Sequence, residues 1–375
     1  MNNTMNIMNN SYLYTDLGIL RENAESILSS LPRGCGLIPV LKDDAYGLGL
    51  SRVAAVLEQI EGVCCAAVAH VSEGLVLRSG GFAKDILVMG SPLPFQLVPA
   101  VAAGLTLPAG SKEAALMIAE AAKELGLQAK IHIKVDIGLH RIGVEPGEEL
   151  GELCDIINEH EALCVTGAFS HFSNAENEES SEEQYELFLR AVKQIENAGI
   201  ALPLTHISCS AASELYPERC LGAVRVGRRL YMDRPEGGNG SIKELASWRS
   251  YITAVKQRRA GDSIGYGGRL RLERDSLVAT VGVGYGDGLQ SALCEVGGPV
   301  LIKGQRCRLL ASCMDQCLVD VTGLDCAIGD EVTFFGYDSE GNFLSSQEVA
   351  LLIGGDEGCG LTSALSTRVA RVYSE

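Results

Sequence analysis

The sequence predicts an α/β protein in which a (β/α)8 barrel of the TIM type is followed by a mostly antiparallel β domain. Its 375 residues exceed one ordinary domain, since a typical domain uses about 150 residues and an α/β barrel about 250. Over the first two-thirds of the chain, continuous apolar runs alternate with helical patterns, which indicates parallel strands buried on both faces. Beyond residue 240 the runs become short and β-rich, which predicts a domain of a different class.

Eight apolar runs are candidates for the barrel strands. They are residues 36–41, 64–69, 85–89, 104–107, 129–135, 163–170, 201–206 and 222–226. Helical patterns separate most of these runs; the first begins after Asp16, which can cap a helix with Leu20 and Ala24 on its apolar face. The acidic stretch 176–183 fits the solvated start of another helix. Eight strand–helix units favour a closed barrel, with a doubly wound open sheet as the alternative.

A breaker-rich linker at residues 235–240 (PEGGNG) separates the two predicted domains. We assign residues 15–240 to the barrel, and residues 241–375, together with an N-terminal strand in residues 1–14, to the β domain. Six β-rich runs predict the strands of this second domain. They are residues 251–255, 277–283, 299–302, 307–310, 317–321 and 331–335. One helix is expected at residues 346–353.

Composition argues against several classes of function. The formal net charge is −17, from 31 basic and 48 acidic residues, which argues against nucleic-acid binding. No uncharged apolar run reaches about 18 residues and the first basic residue is Arg21, so we expect neither a membrane span nor a signal peptide. The 13 cysteines lack paired CxxC spacing and sit in apolar runs such as 64–65. We therefore expect buried, reduced thiols rather than a metal or redox site, in a cytoplasmic protein.

Polar residues collect at the carboxyl ends of the predicted barrel strands, where barrel enzymes carry out their chemistry. Lys42 ends the first strand, where desolvation would make it a usable amine for Schiff-base formation; a lysine that snorkels to the rim is the ordinary alternative. His171 ends the sixth strand, where a satisfied core histidine is the alternative. Ser210 and Gly227 follow the seventh and eighth strands, where barrels often bind phosphate. Together these residues predict a phosphorylated carbonyl cofactor, namely pyridoxal 5'-phosphate.

Residues 40–47 (VLKDDAYG) resemble the cofactor-lysine motif of bacterial alanine racemases. Further motifs of that family follow in the same order over nearly the whole chain. They are 132–143 (HIKVDIGLHRIG), 170–173 (SHFS), 208–210 (SCS), 224–227 (VRVG), 264–267 (IGYG), 284–288 (GYGDG) and 313–316 (CMDQ). The resemblance implies a pyridoxal-phosphate-dependent isomerase that interconverts L- and D-alanine, supplies D-alanine for bacterial cell walls, and works as a homodimer with shared active sites.

The resemblance also implies two catalytic bases on opposite faces of the substrate. Lys42 is the first base, and Tyr266, lent by the β domain of the partner subunit, is the second. Tyr266 would be hydrogen-bonded to His171, and His171 to Arg225, whose charge disfavours a second cation on the histidine and leaves that ring able to accept. Arg225 would also face the pyridine nitrogen of the cofactor, where we infer that it limits carbanion delocalisation and suppresses side reactions. His132 and His206 are interpreted as core histidines, with a position near the phosphate as the alternative for His206.

Other site residues are implied by the same resemblance. Arg141 matches the partner of the substrate carboxylate, and Lys134 matches a lysine that can be carbamylated and so give Arg141 an anionic neighbour. The backbone N–H of Met314 would complete carboxylate binding, and Tyr285 would line the entrance.

The phosphate of the cofactor would be held by a separate group of residues. Tyr46, Ser210, Gly227 and the backbone of Arg228 match the family's phosphate cradle. Thr367 stands where the family has a tyrosine that helps to hold phosphate.

The sequence departs from the family pattern at the pocket wall and the entrance. Thr367 in place of tyrosine opens roughly the volume of a phenyl ring beside the substrate side chain, so we expect serine to be accepted beside alanine. Arg228 and Arg229 replace small apolar residues, and either a phosphate contact or a solvent-facing charge would explain Arg228. Ala311 and Ser312 replace an arginine and an isoleucine before the CMDQ motif.

Several alternative functions stay open from the sequence. One is a serine or broad-specificity racemase of the same family. A non-catalytic pyridoxal-phosphate-binding barrel is another, although it would need neither the β domain nor Tyr266. A decarboxylase of the same two-domain plan would need groups that favour carbanion delocalisation, and Arg225 argues against it. The last alternative function is a phosphate-binding lyase that uses no cofactor.

Overall fold

The computed structural model describes residues 8–232, 242–355 and 358–374. The linker predicted at 235–240 and the boundary between 240 and 241 therefore lie outside the described residues, as do residues 1–7 of the predicted N-terminal strand. The chain forms two compact units. The barrel unit comprises Arg21–Ala45 and Leu50–Leu230, and the β unit comprises Met1–Leu20, Tyr46–Gly49 and Tyr231–Glu375.

Strands form the sheets of the β unit and the interior of the barrel unit. In chain order they are β1 (Ser11–Asp16), β2 (Gly36–Pro39), β3 (Cys65–Val68), β4 (Asp85–Val88), β5 (Leu107–Ala109), β6 (Ala129–Lys134), β7 (Leu163–Phe169), β8 (Thr205–His206), β9 (Ala223–Val226), β10 (Ala246–Arg258), β11 (Ser263–Ile264), β12 (Leu270–Arg271), β13 (Ser276–Val281), β14 (Pro299–Ile302), β15 (Gln305–Ser312), β16 (Cys317–Asp320), β17 (Glu331–Tyr337), β18 (Phe343–Leu344) and β19 (Ala370–Ser374).

Helices alternate with the strands of the barrel unit. In chain order the helices of the described chain are α1 (Leu17–Ser30), α2 (Lys42–Tyr46), α3 (Leu50–Glu58), α4 (Val71–Ser79), α5 (Pro94–Ala102), α6 (Lys112–Leu125), α7 (Glu148–Glu159), α8 (Glu178–Asn197), α9 (Ser210–Leu215), α10 (Ser291–Glu295), α11 (Ser346–Leu351) and α12 (Cys359–Ser363). Short 3-10 turns occur at Pro217–Arg219, Arg228–Leu230, Tyr266–Gly268 and Tyr285–Asp287.

The strands β2 to β9 form a closed parallel barrel, which confirms the predicted barrel over the open-sheet alternative. Continuous ladders pair β2 with β9, β3 with β4, and β5 through β8 in order. Single parallel bridges close the remaining gaps: Leu37↔Val63, Val40↔Ala67, Leu87↔Thr106 and Cys209↔Arg225. Each predicted apolar run overlaps one of these strands, because a barrel strand is covered by helices on one face and by the packed barrel interior on the other.

Two predicted helix starts are confirmed by their caps. The Asp16 carboxylate accepts a hydrogen bond from the Ile19 N–H at 3.0 Å, immediately before α1, and Leu20 is fully buried. Asn177 caps α8 by accepting from the Ser180 N–H at 2.9 Å. The acidic stretch therefore lies in the first turns of α8, where negative side chains complement the helix dipole.

The β unit contains a second closed barrel, made of six antiparallel strands. Its strands run in the order β10, β13, β16, β15, β14 and β17, and β17 pairs again with β10. The six predicted β-rich runs fall on these six strands. β1 extends the sheet antiparallel to β10, and β19 lies parallel to β1. Trp248 anchors this junction, because its indole N–H donates to Ser11 Oγ at 2.8 Å while its ring packs 4.5 Å from that of Phe334.

The cysteines do not all follow the expectation of burial. All thirteen are reduced cysteines, but only six are buried. Cys64, which was expected inside a buried run, is exposed because it precedes β3 rather than belonging to it. Within the described residues, no helix is long and apolar enough to cross a membrane.

Candidate active site

The chain leaves the first barrel strand through a left-handed turn, α2. The φ angles of Asp43, Asp44 and Ala45 are 57°, 53° and 54°, and that of Tyr46 is 58°. L-residues avoid this region at a cost of roughly 1–2 kcal/mol each, so surrounding contacts must hold the turn. The Asp43 N–H donates to Glu73 Oε1 at 2.6 Å, and Asp44 Oδ1 accepts from the Leu50 N–H at 2.7 Å. Strain of this kind is typical of functional sites.

The two predicted site lysines of the barrel have opposite surroundings. Lys42, which was expected to be desolvated at the strand end, is exposed; that expectation is wrong because the side chain follows β2 rather than lying within it. Lys134 ends β6 and is only 3% exposed, with its Nζ donating to the Val135 carbonyl at 2.8 Å. Burial, with the charge on Arg225 as the next contribution, lowers the pKa of Lys134 to about 7. A large fraction of Lys134 is therefore a neutral amine near neutral pH.

Arg225 is the hub of the polar residues inside the barrel. It lies on β9, is 3% exposed, and its Nη2 donates to the carbonyls of Ser170 at 2.6 Å and Ile207 at 3.0 Å. Its Nη1 lies 2.5 Å from His206 Nδ1, and its Nη2 lies 3.0 Å from His171 Nδ1. Burial lowers the pKa of Arg225 to about 10, so the guanidinium stays charged at neutral pH. Among the described residues, no carboxylate lies within ion-pair distance of it.

His171 is neutral because it is buried and lies among cations. Burial makes the largest contribution and Arg225 the next, followed by Lys134, Arg141 and Lys42, and together they lower the pKa of His171 to about 3. An arginine can only donate hydrogen bonds, so Nδ1 of the neutral ring accepts from Arg225 and its proton resides on Nε2. The barrel unit thus brings His171 into the same electrostatic environment as four of the other predicted site residues.

Arg141 is carried by a tightly held loop after β6. Its side chain is exposed, but a single buried carboxylate orders the loop. Asp136 Oδ1 accepts from the N–H groups of Gly138, Leu139 and His140 at 2.9, 3.0 and 3.1 Å. These hydrogen bonds help to hold the pKa of Asp136 below its ordinary value against the opposing effect of burial, so it remains a carboxylate at neutral pH.

The two loops expected to hold phosphate meet. Ser210 begins α9 after β8, Gly227 follows β9, and the Gly227 N–H points at Ser210 Oγ at 3.4 Å. Arg228 is partly exposed beside them, whereas Arg229 is 4% exposed and pairs with Glu214 at 2.8 Å. Arg229 therefore has a structural role in tying the Arg228–Leu230 turn to α9.

Tyr46 and Thr367, the other two residues of the predicted phosphate cradle, belong to the β unit. The ring of Tyr46 packs 5.2 Å from that of Tyr231, and Thr367 is exposed.

Three further predicted site residues of the β unit lie on its surface. Tyr266 is 70% exposed, Met314 54% and Tyr285 44%. Tyr266 and Tyr285 line one cleft of about 610 Å³, whose wall includes Ala311 and Ser312. The two small residues that replace the family's arginine and isoleucine thus help to form this cleft.

The GYGDG and CMDQ motifs pack directly against each other. The Tyr285 N–H donates to the Cys313 carbonyl at 2.9 Å, and the Gly286 N–H to the Met314 carbonyl at 2.8 Å. A Cβ atom on Gly284 would lie 2.3 Å from the Cys313 carbonyl oxygen, so only glycine permits this approach. The contact brings Tyr285 and Met314 to the same surface.

Comparison with known proteins assigns both units to one family. The model described as "Alanine racemase, N-terminal domain" matches residues 15–235, and "Alanine racemase, C-terminal domain" matches residues 245–373. The alanine racemase of Geobacter sulfurreducens is 34% identical over 96% of this chain and 95% of its own. That of Clostridium tetani is 33% identical over 96% of this chain and 94% of its own.

Solved structures of alanine racemases superpose closely on this chain. The alanine racemase of Clostridium difficile superposes with a TM-score of 0.91 at 31% identity, covering 98% of this chain and 96% of the other. The alanine racemase of Bacillus anthracis, solved with bound L-Ala-P, superposes with a TM-score of 0.91 at 27% identity. The match covers 99% of this chain and 96% of the other.

Proposed function

This chain belongs to the alanine racemase family and is an isomerase of the amino-acid racemase type, and we propose that it interconverts L- and D-alanine with Lys42 and Tyr266 as its two bases. The observation that carries the proposal is the contact of the buried Arg225 with His171 at 3.0 Å. A charged arginine beside a neutral histidine is an arrangement that can stabilise a phenolate brought to the other side of the ring.

The residues of the barrel unit fit pyridoxal 5'-phosphate. Ser210 and Gly227 offer a hydroxyl and a backbone N–H 3.4 Å apart, which are donors of the kind that bind a phosphate. The buried, charged Arg225 lies on β9, where it would face the pyridine nitrogen. Tyr46, the Arg228 backbone and Thr367 would complete the phosphate contacts. When bound, this cofactor supplies the electron sink that makes the Cα proton of an amino acid removable.

The two bases would act on opposite faces of Cα. Lys42 would exchange a proton with one face and Tyr266 with the other, since inversion requires a proton to leave one side and return on the opposite side. Tyr266 is exposed on the β unit and Lys42 is exposed at the carboxyl end of β2, so both side chains are accessible to a ligand. We propose that a second copy of the chain supplies Tyr266 to each site, which makes the enzyme a homodimer.

Tyr266 needs help to act as a base, because the reference pKa of tyrosine is about 10. Neutral His171 accepts from Arg225 on Nδ1 and therefore carries its proton on Nε2. That N–H can donate to the phenolate form of Tyr266. In this proposal His171 accepts a hydrogen bond from Arg225 and would donate one to Tyr266.

Lys134 and Arg141 would bind and orient the substrate carboxylate. We propose that the neutral Lys134 amine adds to carbon dioxide, forming an N–C bond and releasing one proton, so that a carbamate replaces the amine. Its lowered pKa and its burial support this reaction, since the free amine rather than the ammonium is the nucleophile. The carbamate would give Arg141 an anionic partner, and the Met314 N–H would add a further hydrogen bond to the substrate.

The substrate range is proposed to extend beyond alanine. Thr367 is exposed and smaller than the tyrosine typical of the family, so a serine side chain would find room there. A broad-specificity racemase is therefore the second candidate function. The cytoplasmic location and the role in D-amino acid biosynthesis remain predictions.

Circular dichroism tests the proposal directly. We expect L- and D-alanine, and to a lesser extent L- and D-serine, to converge on a signal of zero when incubated with the protein and added pyridoxal phosphate. Protein without enzyme activity but with a visible absorption band that borohydride removes would instead favour the non-catalytic binding protein.

A further inference from the structure

Two histidines that the proposed chemistry does not use lie behind Arg225. His132 on β6 is 4% exposed and His206 on β8 is fully buried. His132 Nδ1 lies 3.2 Å from His206 Nε2, and His206 Nδ1 lies 2.5 Å from Arg225 Nη1. With the contact from Arg225 Nη2 to His171, four side chains form one continuous hydrogen-bonded chain across the barrel interior.

The direction of every hydrogen bond in this chain follows from Arg225. The guanidinium only donates, so His206 must accept on Nδ1. Burial, and then the charge on Arg225, hold the pKa of His206 well below its ordinary value, so the ring is neutral and its proton resides on Nε2. That proton can then be donated only to His132 Nδ1, which must be the acceptor. Burial also lowers the pKa of His132 to about 4.

The backbone leaves room for His132 in this position. Gly167, on the neighbouring strand β7, has no side chain, and a Cβ atom there would lie 2.8 Å from His132 Nε2. The charged groups that act on the two rings are Arg225 on both, Asp85 on His132, and Lys134 on His206. Asp85 favours a charged His132, but burial and Arg225 outweigh it.

We propose that His132 is a positioning residue that holds the His206 ring, and through it the Arg225 guanidinium, in the orientation that keeps Arg225 bonded to His171. Without the His132 acceptor, the Nε2–H of His206 is left buried and unpaired, which is costly. His206 would turn to find another partner and release Arg225 Nη1, whose other acceptor is the His206 carbonyl at 3.2 Å. The link to catalysis rests on the proposed function, but the orientation of the rings does not.

Two variants at this position separate the hydrogen bond from the volume of the ring. His132→Phe keeps an aromatic ring and removes the acceptor, whereas His132→Asn retains an acceptor near the position of Nδ1. Ile133→Val is the matched control, because Ile133 is a fully buried neighbour on the same strand with its side chain on the opposite face. All three are made in the full chain with pyridoxal phosphate added.

The decisive readout is nitrogen NMR of the histidine rings as a function of pH. Six histidines are present in the chain, so single substitutions suffice to assign their signals. We expect His171 in the unaltered protein to stay neutral to the lowest pH at which the fold persists. In His132→Phe we expect His171 to titrate about one pH unit higher, because a guanidinium released at Nη1 and held only by the Ser170 and Ile207 carbonyls at Nη2 contacts His171 less closely. His132→Asn and Ile133→Val should behave like the unaltered protein.

A second readout concerns the reaction. In His132→Phe, the acid limb of the kcat/KM profile should move to higher pH with the NMR midpoint, and kcat should fall about tenfold with little change in KM. Unchanged His171 titration in a folded His132→Phe protein would overturn the proposal. If racemisation is absent from the unaltered protein, the proposed function fails while the NMR comparison still decides the role of His132.

Discussion

The two units differ in how they hold their predicted site residues. In the barrel unit, Arg225 and Lys134 are each 3% exposed and hydrogen-bonded inside the barrel, although Lys42 and Arg141 are exposed at its end. In the β unit, Tyr266 and Met314 are more than half exposed. The barrel therefore carries a preorganised electrostatic environment, whereas the β unit presents these two side chains at its surface. The dimer proposed above would cover that surface.

The largest effect is expected from removing either base. Lys42→Ala and Tyr266→Phe should each lower racemisation by about a thousandfold or more, because a positioned general base contributes roughly 10²–10⁴. Since each residue serves one face of Cα, one base is left in each variant. In deuterium oxide, each variant should exchange the Cα hydrogen of one enantiomer with retention, as measured by NMR. Exchange of both enantiomers in one variant would contradict the assignment of one base to each face.

The packing of the two motifs in the β unit predicts the next effect. Gly284→Ala should destabilise the protein by about 2 kcal/mol, because the new Cβ overlaps the Cys313 carbonyl. The φ of Gly284 is −136°, which alanine can adopt, so the clash alone is tested. Gly360→Ala is the control, since nothing lies within 4 Å of the new Cβ there. Equal thermal midpoints for the two variants would show that the contact between the motifs is not tight.

Lys134 predicts a pH-dependent stability of defined sign. Its folded pKa of about 7 lies below its ordinary value of 10.5, so between these values the unfolded chain binds more protons and stability rises with pH. Lys134→Met should therefore stabilise the protein by about 2 kcal/mol at pH 6 in carbon-dioxide-free buffer. The gain should change little below pH 7 and shrink as the pH rises from about 7 towards 10.5. Denaturant titrations at several pH values measure it, and a gain that does not change with pH would contradict the burial of a neutral amine.

The smallest effect concerns the specificity of the pocket. Thr367→Tyr should lower kcat/KM for serine relative to alanine by about tenfold. The effect is modest because a larger side chain in the pocket discriminates only weakly against a substrate that carries one additional hydroxyl group. Thr322→Tyr is the control, because it makes the same substitution at a threonine that is not among the predicted site residues and whose hydroxyl donates to Asp320. A serine-to-alanine ratio that is the same in all three proteins would remove Thr367 from the specificity determinants.

The fold was largely predictable because strands that are buried on both faces have continuous apolar sequences. The eight barrel strands follow such runs, and the six strands of the antiparallel barrel follow shorter β-rich runs whose burial is mixed. The two-residue strands β11, β12 and β18 have no room for periodicity, and β19 is defined by its pairing with β1. The conformational preferences of the residues after Lys42 do not predict the left-handed turn. The aspartates at positions 43 and 44 adopt this conformation more readily than most residues do.

The site was less predictable because side-chain burial depends on neighbours distant in the sequence. Lys42 and Lys134 both end apolar runs, yet one is exposed and the other buried. His132 and His206 were interpreted as core histidines, and they are buried. The sequence does not show that Arg225, from a third strand, orders both of them, because that contact depends on the closure of the barrel through the Cys209↔Arg225 bridge.

Mixing the two base variants tests the shared site most directly. Lys42→Ala and Tyr266→Phe proteins are purified separately, mixed in equal amounts, and allowed to exchange subunits before racemisation of alanine is measured. If each site combines Lys42 of one chain with Tyr266 of the other, half of the dimers are mixed and each holds one intact site, so about a quarter of the unaltered activity should return. A mixture that forms mixed dimers and stays as inactive as its components would contradict the account.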